Sequence, residues 1–376
     1  MTGRDSGRNG ELEIRVTGDL VLDEPDAGYW LSGILPAIRQ ADVAIGHLEV
    51  PHTESLDALE GDIPAPGAPL SNLAALANAG FHMVSLAGNH IADCGPQGIA
   101  DTLVGLDHVG ILHAGAGLSL AEARRPCFIR AQGFRVALLS YNCVGPETGW
   151  AGERSAGCAF LPMGTADNSA VSPRAPLVKV LPRAHEILES DINEARRGAD
   201  LVIVALHKGI VHTPARLAPY ERPVAHAAIE SGADAVISHH AHIARGIEFH
   251  RGRPIFHGLG NGCVVTRALS PDQDHPARRE WAQQRKKMFG FEPDPAYTLA
   301  PFHPEATNAM IGTLSLGPDG TLAAGVIPVH VEAPGRPVLA EPPRSRQILD
   351  YIERITIDAG LAPIRIDDNG RVCRSS

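Results

Sequence analysis

LVIVALHKG at residues 201–209 decides the reading of the chain. Leu201 to Leu206 is an unbroken apolar run rich in β-branched side chains, as in a strand buried on both faces, and it ends on an imidazole, His207. Working outward, AVISHHAH at 235–242 has the same form, with Ala235 to Ile237 followed by Ser238, His239, His240 and His242. Met83 to Leu86 leads into Gly88-Asn89-His90, Val43 to Ile45 into His47-Leu48-Glu49, and Leu12 to Thr17 into Gly18-Asp19. Arg135 to Ser140 is a further strand, and Ile255 to His257 runs into Gly258-Leu259-Gly260-Asn261.

Helices fall between these strands. Tyr29 to Arg39, Leu70 to Ala79 and Arg222 to Glu230 have helical character. Ile99, Leu103, Leu106 and Val109 share one face after Pro96, and Ile187, Leu188, Ile192 and Ala195 share another. Strands alternating with helices predict a layered α/β fold. Ligands in such folds bind beyond the carboxyl ends of the strands. Asp19, Glu49, Asn89, His90, His207, His240 and His242 all sit there. One aspartate after a strand is more often a helix cap, and one histidine more often a bonded loop residue. Separate caps have no reason to choose ligand-type residues at every strand end, so convergence on one site is expected. Carboxylate, imidazole and amide together make a donor set for zinc, manganese or iron.

The 376 residues are 44% apolar with a net charge of -10. That supports a large core and gives no basic stripe for nucleic acid. The basic run from Arg278-Arg279 to Lys286-Lys287 reads as a solvated face. The polar start MTGRDSGRNGELEIRV has no leader-like apolar core, and no stretch reaches the roughly 18 apolar residues of a membrane span. A cytoplasmic location with no membrane partner is expected. The cysteines at 94, 127, 143, 158, 263 and 373 form no CxxC pair and read as reduced thiols. Residues 145–180 and 265–308, rich in Pro, Gly and polar side chains, are expected to be lid loops over the site. Ile311 to Leu316 and Val326 to Val331 form a hairpin about Gly317-Pro318-Asp319-Gly320, and Ile348, Leu349, Ile352 and Ile355 mark a last helix. The expected division is one domain over 1–335 and a helical extension over 336–376.

Gly18-Asp19, Leu48-Glu49, Ala87-Gly88-Asn89-His90 with Asp93 and Gly95, His207-Lys208-Gly209, His240-Ala241-His242 and Leu259-Gly260-Asn261 resemble, in order, the motifs of the capsule-synthesis CapA family. That family in turn resembles the calcineurin-like metallophosphoesterases. The resemblance spans about residues 12–335. It implies a four-layer α/β/β/α sandwich. The chain departs from the pattern at His47, Lys208 and Gly262, where the family usually has Asn, Trp and Phe. It also lacks the Asp-x-His start of the phosphatases, since Leu20-Val21 follow Asp19.

Two chemistries follow. In a metal-dependent hydrolase of a phosphoester or amide bond, Asp19, Glu49, Asn89, His207, His240 and His242 would hold a divalent manganese, zinc or iron ion and His90 would act as an acid. The second is implied by a resemblance to the soluble branch that includes the lasso peptide C-terminal tryptophan epimerase. It is metal-independent inversion of a Cα centre near the C-terminus of a ribosomal precursor peptide. Such inversion needs acid/base groups on opposite sides of the substrate. Asp19 and His303 are the expected pair, with Glu49 and His90 beside them and no cofactor. Trp150, Trp281 or Phe302 would clamp the peptide. The epimerase is the preferred expectation.

Overall fold

The computed structural model describes residues 10–59 and 65–374. The start at residues 1–9, read above as lacking a leader, lies outside them. The fold is a mixed α/β arrangement with two large sheets. The first, of eight strands, has the order Arg336–Leu339, Leu322–Glu332, Asn308–Leu316, Leu12–Leu22, Val43–Leu48, Met83–Ser85, Leu112–Ala114, with Asn261–Val265 also paired to Leu12–Leu22. The second, of six strands, has the order Ile247–His250, Arg253–Phe256, Ala235–His240, Leu201–Lys208, Phe134–Asn142, Cys127–Ala131.

The alternation of side chains along each strand sorts the apolar residues into clusters. Leu12, Ile14, Val16 and Ile45 of the first sheet share one cluster with Leu138, Ile203 and Ile237 of the second. The opposite face of the second sheet, with Val202, Val204 and Val236, packs on Leu188 and Ile192 of helix Pro182–Arg196 and Val224 and Ala228 of helix Glu221–Glu230. The opposite face of the first sheet packs on Leu31, Ile38, Leu76, Ile99 and Leu106.

Strand Leu12–Leu22 is the hinge of the site. Its first half pairs antiparallel with Asn308–Leu316, its second half parallel with Asn261–Val265, and the register shifts at Asp19. Gly18 makes this exchange possible, because a Cβ there would lie 1.8 Å from the Gly260 carbonyl oxygen.

Several elements differ from expectation. The helix expected over 29–39 is two short ones, Ala27–Leu31 and Leu35–Ile38. They part at Gly33, whose missing side chain leaves room for the Pro337 carbonyl 2.3 Å from a Cβ position. Residues 265–308 contain a 14-residue helix, Pro276–Phe289, that begins with His275 accepting from the Arg278 amide and stops at left-handed Gly290. Residues 145–180 carry the short strands Gly157–Cys158, Met163–Thr165 and Leu177–Val180. Beyond 335, strand Arg336–Leu339 joins the first sheet and Ile364–Ile366 pairs with Val372–Arg374, alongside the expected helix, Arg344–Asp358.

Candidate active site

The strand ends converge. Asp19, at 1% exposure, accepts a hydrogen bond from the His240 amide at 3.2 Å and donates its own amide to Gly260 at 3.2 Å. His242 lies between two carboxylates, with Nε2 3.3 Å from Glu49 Oε1 and Nδ1 3.6 Å from Asp19 Oδ2. Its Nδ1 is also 3.1 Å from Asn261 Oδ1. Burial alone would lower the pKa of His242, but Glu49 and Asp19 override it and keep the ring cationic. Burial opposes ionisation of Glu49 too, yet His242 holds its pKa below the ordinary value. Asp19 moves the other way, driven up first by burial and then by Glu49. The three groups thus share charge as an ionised Glu49, an imidazolium and a carboxyl that still holds its proton near neutral pH.

A second set lies deeper. Donor atoms of Asp19, His47 and His207 lie within 4.8 Å of one another, as do those of Asp19, Glu49 and His242. His47 stacks on His239 at 4.5 Å and approaches His207 at 4.7 Å, and His207 approaches His240 at 4.8 Å. His207 Nε2 is 2.7 Å from Asn89 Oδ1, and His47 Nδ1 is 2.9 Å from Ser85 Oγ. Burial pushes the pKa of His47 and His207 well below the usual imidazole value and that of His240 to about 3. His47 Nε2, His207 Nδ1 and both ring nitrogens of His240 are buried with no hydrogen-bond partner. Neutral imidazole nitrogens without partners beside a carboxylate fit a divalent cation. His240 and His242 hold left-handed backbone, φ 89° and 52°, an uncommon conformation that concentrates at functional sites.

In front of this cluster lies a cavity of about 340 Å³. Glu49, Asn89, His90, His240 and His242 line one end, while Val21, Val264, Leu269, Trp281, Phe289 and Phe302 make apolar walls. His90 bonds Asp93 Oδ2 through Nδ1 at 2.6 Å. Asp19 and His207 sit behind the lining residues. His303 is elsewhere: it lines a neighbouring cavity of about 220 Å³ with Asn261 and Phe302, and its Nδ1 accepts the Glu305 amide at 3.1 Å. Asp19 and His303, expected on two sides of one substrate, share no cavity; Phe302 borders both cavities. Trp281 and Phe302 line the main cavity as expected. Trp150 instead stacks on Phe160 at 4.0 Å and packs into the core.

Sequence reasoning passed over three residues. His47 is the one polar side chain in VAIGHL, and that was a usable signal. Asn261 was noticed as a motif residue but given no role. His212 gave no signal, since it lies beyond strand Leu201–Lys208 and reaches the cavity through left-handed backbone, φ 56°. Lys208, at the usual Trp position, is fully buried away from the cavity, 3.1 Å from Glu221 Oε2 and 3.2 Å from His257 Nδ1.

The chain is 28% identical over 243 residues to the PGA biosynthesis protein CapA of Bacillus subtilis, covering 64% of this chain and 58% of that one. It is 31% identical over 193 residues to a probable polyglutamine synthesis accessory protein of Mycobacterium tuberculosis, covering 50% and 47%. It therefore spans about half the length of these relatives. Among solved structures, a putative 5'-nucleotidase from Staphylococcus aureus is similar at 12% identity and a TM-score of 0.43, covering 92% of this chain and 58% of that one. The calcineurin-like phosphoesterase YfkN from Bacillus subtilis gives 13% and 0.37, covering 93% and 98%. No helix among the described residues is long and apolar enough to cross a membrane. Residues 13–264, well over half of the chain, match the family described as bacterial capsule synthesis protein PGA_cap, and the chain belongs to that family.

Proposed function

We propose that the chain is a peptide epimerase, inverting a Cα centre near the C-terminus of a ribosomal, lasso-type precursor peptide by acid/base chemistry without a cofactor. The observation that carries this reading is an aromatic-walled cavity ending on a buried acid/base cluster in which Asp19 is driven upward and His242 is held cationic. A carboxyl with a raised pKa is matched to proton exchange at a weakly acidic carbon. An imidazolium between Glu49 and Asp19 supplies fixed positive charge for the enolate that forms. Trp281, Phe289 and Phe302 suit an apolar side chain, and Arg174 and Arg278, one from each long segment, line the same cavity and suit a peptide carboxylate. His303 reaches the opposite face of the Cα only if the Phe302 ring between the two cavities turns aside. A ribosomal peptide would be met in the cytoplasm, with no nucleic acid or membrane involved. The facing sheets with helices outside support a four-layer α/β/β/α sandwich of the calcineurin-like type.

The test is incubation of aromatic-ended peptides in deuterated water. One deuteron at the inverted centre is expected, and Asp19→Asn and His303→Gln should each reduce it by about 100-fold or more. An inverted product with no deuteron, or exchange that survives both changes, defeats the reading.

The unpartnered nitrogens of His47, His207 and His240 favour a second reading, a metal-dependent hydrolase of a phosphoester or amide. Asp19, His47 and His207, with Glu49 and His242 beside them, would hold the ion, which would supply a Lewis acid and an activated water. Asn89, 2.7 Å from His207 Nε2, would orient that ring, and His90, held by Asp93 and lining the cavity, would serve as the acid. Cleavage that stops with chelator and returns with manganese or zinc would select this reading.

A further inference from the structure

We infer that His212 is a catalytic residue of this site, donating a hydrogen bond to the substrate carbonyl oxygen next to the reacting carbon. The inference rests on the epimerase reading. His212 lines the cavity, in a segment that leaves strand Leu201–Lys208 at Gly209. Its amide donates to the Ala241 carbonyl at 2.8 Å, fixing it to the turn that presents His240 and His242. Its backbone is left-handed, φ 56°, an uncommon conformation that histidine adopts more often than most residues.

The ring is caged by the second long segment. Phe289 and Phe291 meet it edge-on at 4.9 and 5.1 Å, Phe302 lies at 5.7 Å, and His242 is 6.3 Å away. An apolar residue would satisfy those contacts better than an imidazole, yet the position carries a ring whose Nδ1 is buried with no hydrogen-bond partner. A buried polar atom left unpaired is destabilising by about 1–3 kcal/mol. That nitrogen is sealed from the cavity that the residue lines, and a small turn of the ring brings it to a ligand oxygen there, the partner that the surrounding side chains do not supply. The carbonyl that becomes an enolate oxygen when the Cα proton leaves is such an acceptor, and a donor waiting for that charge strengthens as it develops. No bond to His212 forms or breaks.

Two variants separate this role from packing. His212→Phe keeps the aromatic cage and loses the donor; His212→Gln keeps a donor and loses the ring. Synthetic peptides ending in tryptophan or phenylalanine serve as probes, with deuterium exchange and calorimetric affinity both measured. The phenylalanine variant should lose roughly 100-fold in exchange rate with Kd changed less than about threefold, and the glutamine variant should keep at least a tenth of the rate. A phenylalanine variant that exchanges normally, or a glutamine variant that fails while phenylalanine succeeds, assigns His212 to packing and overturns the inference while the epimerase reading stands. A wild type that binds the peptides but exchanges no deuterium overturns the epimerase reading. In that case a bound peptide that leaves the His212 ring 15N shifts unmoved overturns the donor role as well, and a moved shift upholds the contact.

Discussion

The two long segments, 145–180 and 265–308, look alike in composition and behave differently. In the first, Leu161, Met163, Val171 and Leu177 are buried in the apolar cluster of the second sheet, Trp150 stacks on Phe160, and Met163–Thr165 pairs with Leu177–Val180. Only Pro173 and Arg174 reach the cavity. In the second, the helix Pro276–Phe289 buries one residue, Arg285, and spends its apolar side chains on the cavity wall. Arg285 fastens it by donating to the Pro301 carbonyl at 2.8 Å and the Leu269 carbonyl at 2.7 Å. Polar, proline-rich sequence marks both a patch of core and a wall of the site. What separates them is whether the few apolar residues face the sheet or the cavity.

The largest effect should come from the first segment. Leu161→Ala removes a fully buried side chain and is expected to lower global stability by about 2–5 kcal/mol, read by denaturant unfolding. A loss below about 1 kcal/mol would mean that this segment is a lid after all. Next, Arg285→Met leaves two carbonyls without donors and should cost about 1–3 kcal/mol. The loss should be local, seen as faster amide exchange and proteolysis across 276–290 at an unchanged rate elsewhere. A uniform loss across the fold would erase the contrast.

A buried group in neither segment gives the reference slope. Burial lowers the pKa of His52 from 6.5 to about 4. Between those values the unfolded chain binds more protons than the folded one, so stability falls as pH drops from 6.5 towards 4. The His52 contribution is about 1.4 kcal/mol per pH unit. His52→Leu should flatten the measured slope by that amount, and an unchanged slope would show that the imidazole is not buried neutral. The smallest stability effect belongs to the cavity wall. Trp281→Ala should change global stability by less than about 1 kcal/mol while weakening aromatic-ended peptides about tenfold or more, by calorimetry.

What was legible follows the same division. Buried strands announce themselves, because Leu201 to Leu206 and Ala235 to Ile237 have no other use for unbroken apolar runs. The polar residues that end them mark the site, and Glu49, Asn89, His90, His240 and His242 do line one cavity. The strand Asn261–Val265 was hidden because Gly262 sits in it for a close approach to Gly18, whose carbonyl oxygen would be 2.8 Å from a Cβ there. The helix Pro276–Phe289 was hidden although Pro276 and Gly290 punctuate it, because a helix facing solvent on most sides shows no clean apolar stripe. The displacement of His303 from the main cavity depends on how Phe302 packs, which no local pattern encodes.

The pairing of Leu12–Leu22 with Asn261–Val265 and Asn308–Leu316 bears on how the chain is made. Strand Leu12–Leu22 finds Val43–Leu48 for one edge soon after both are made. Its other edge waits until residues beyond 260 emerge, on the order of ten seconds or more at about 5–20 residues per second. During that interval an apolar strand with an open edge is available to pair with other chains. The Gly18–Gly260 approach that positions Asp19 forms only after residue 260 is made, so nascent chains should gain the site late and should be most prone to aggregate before residues 261–316 appear.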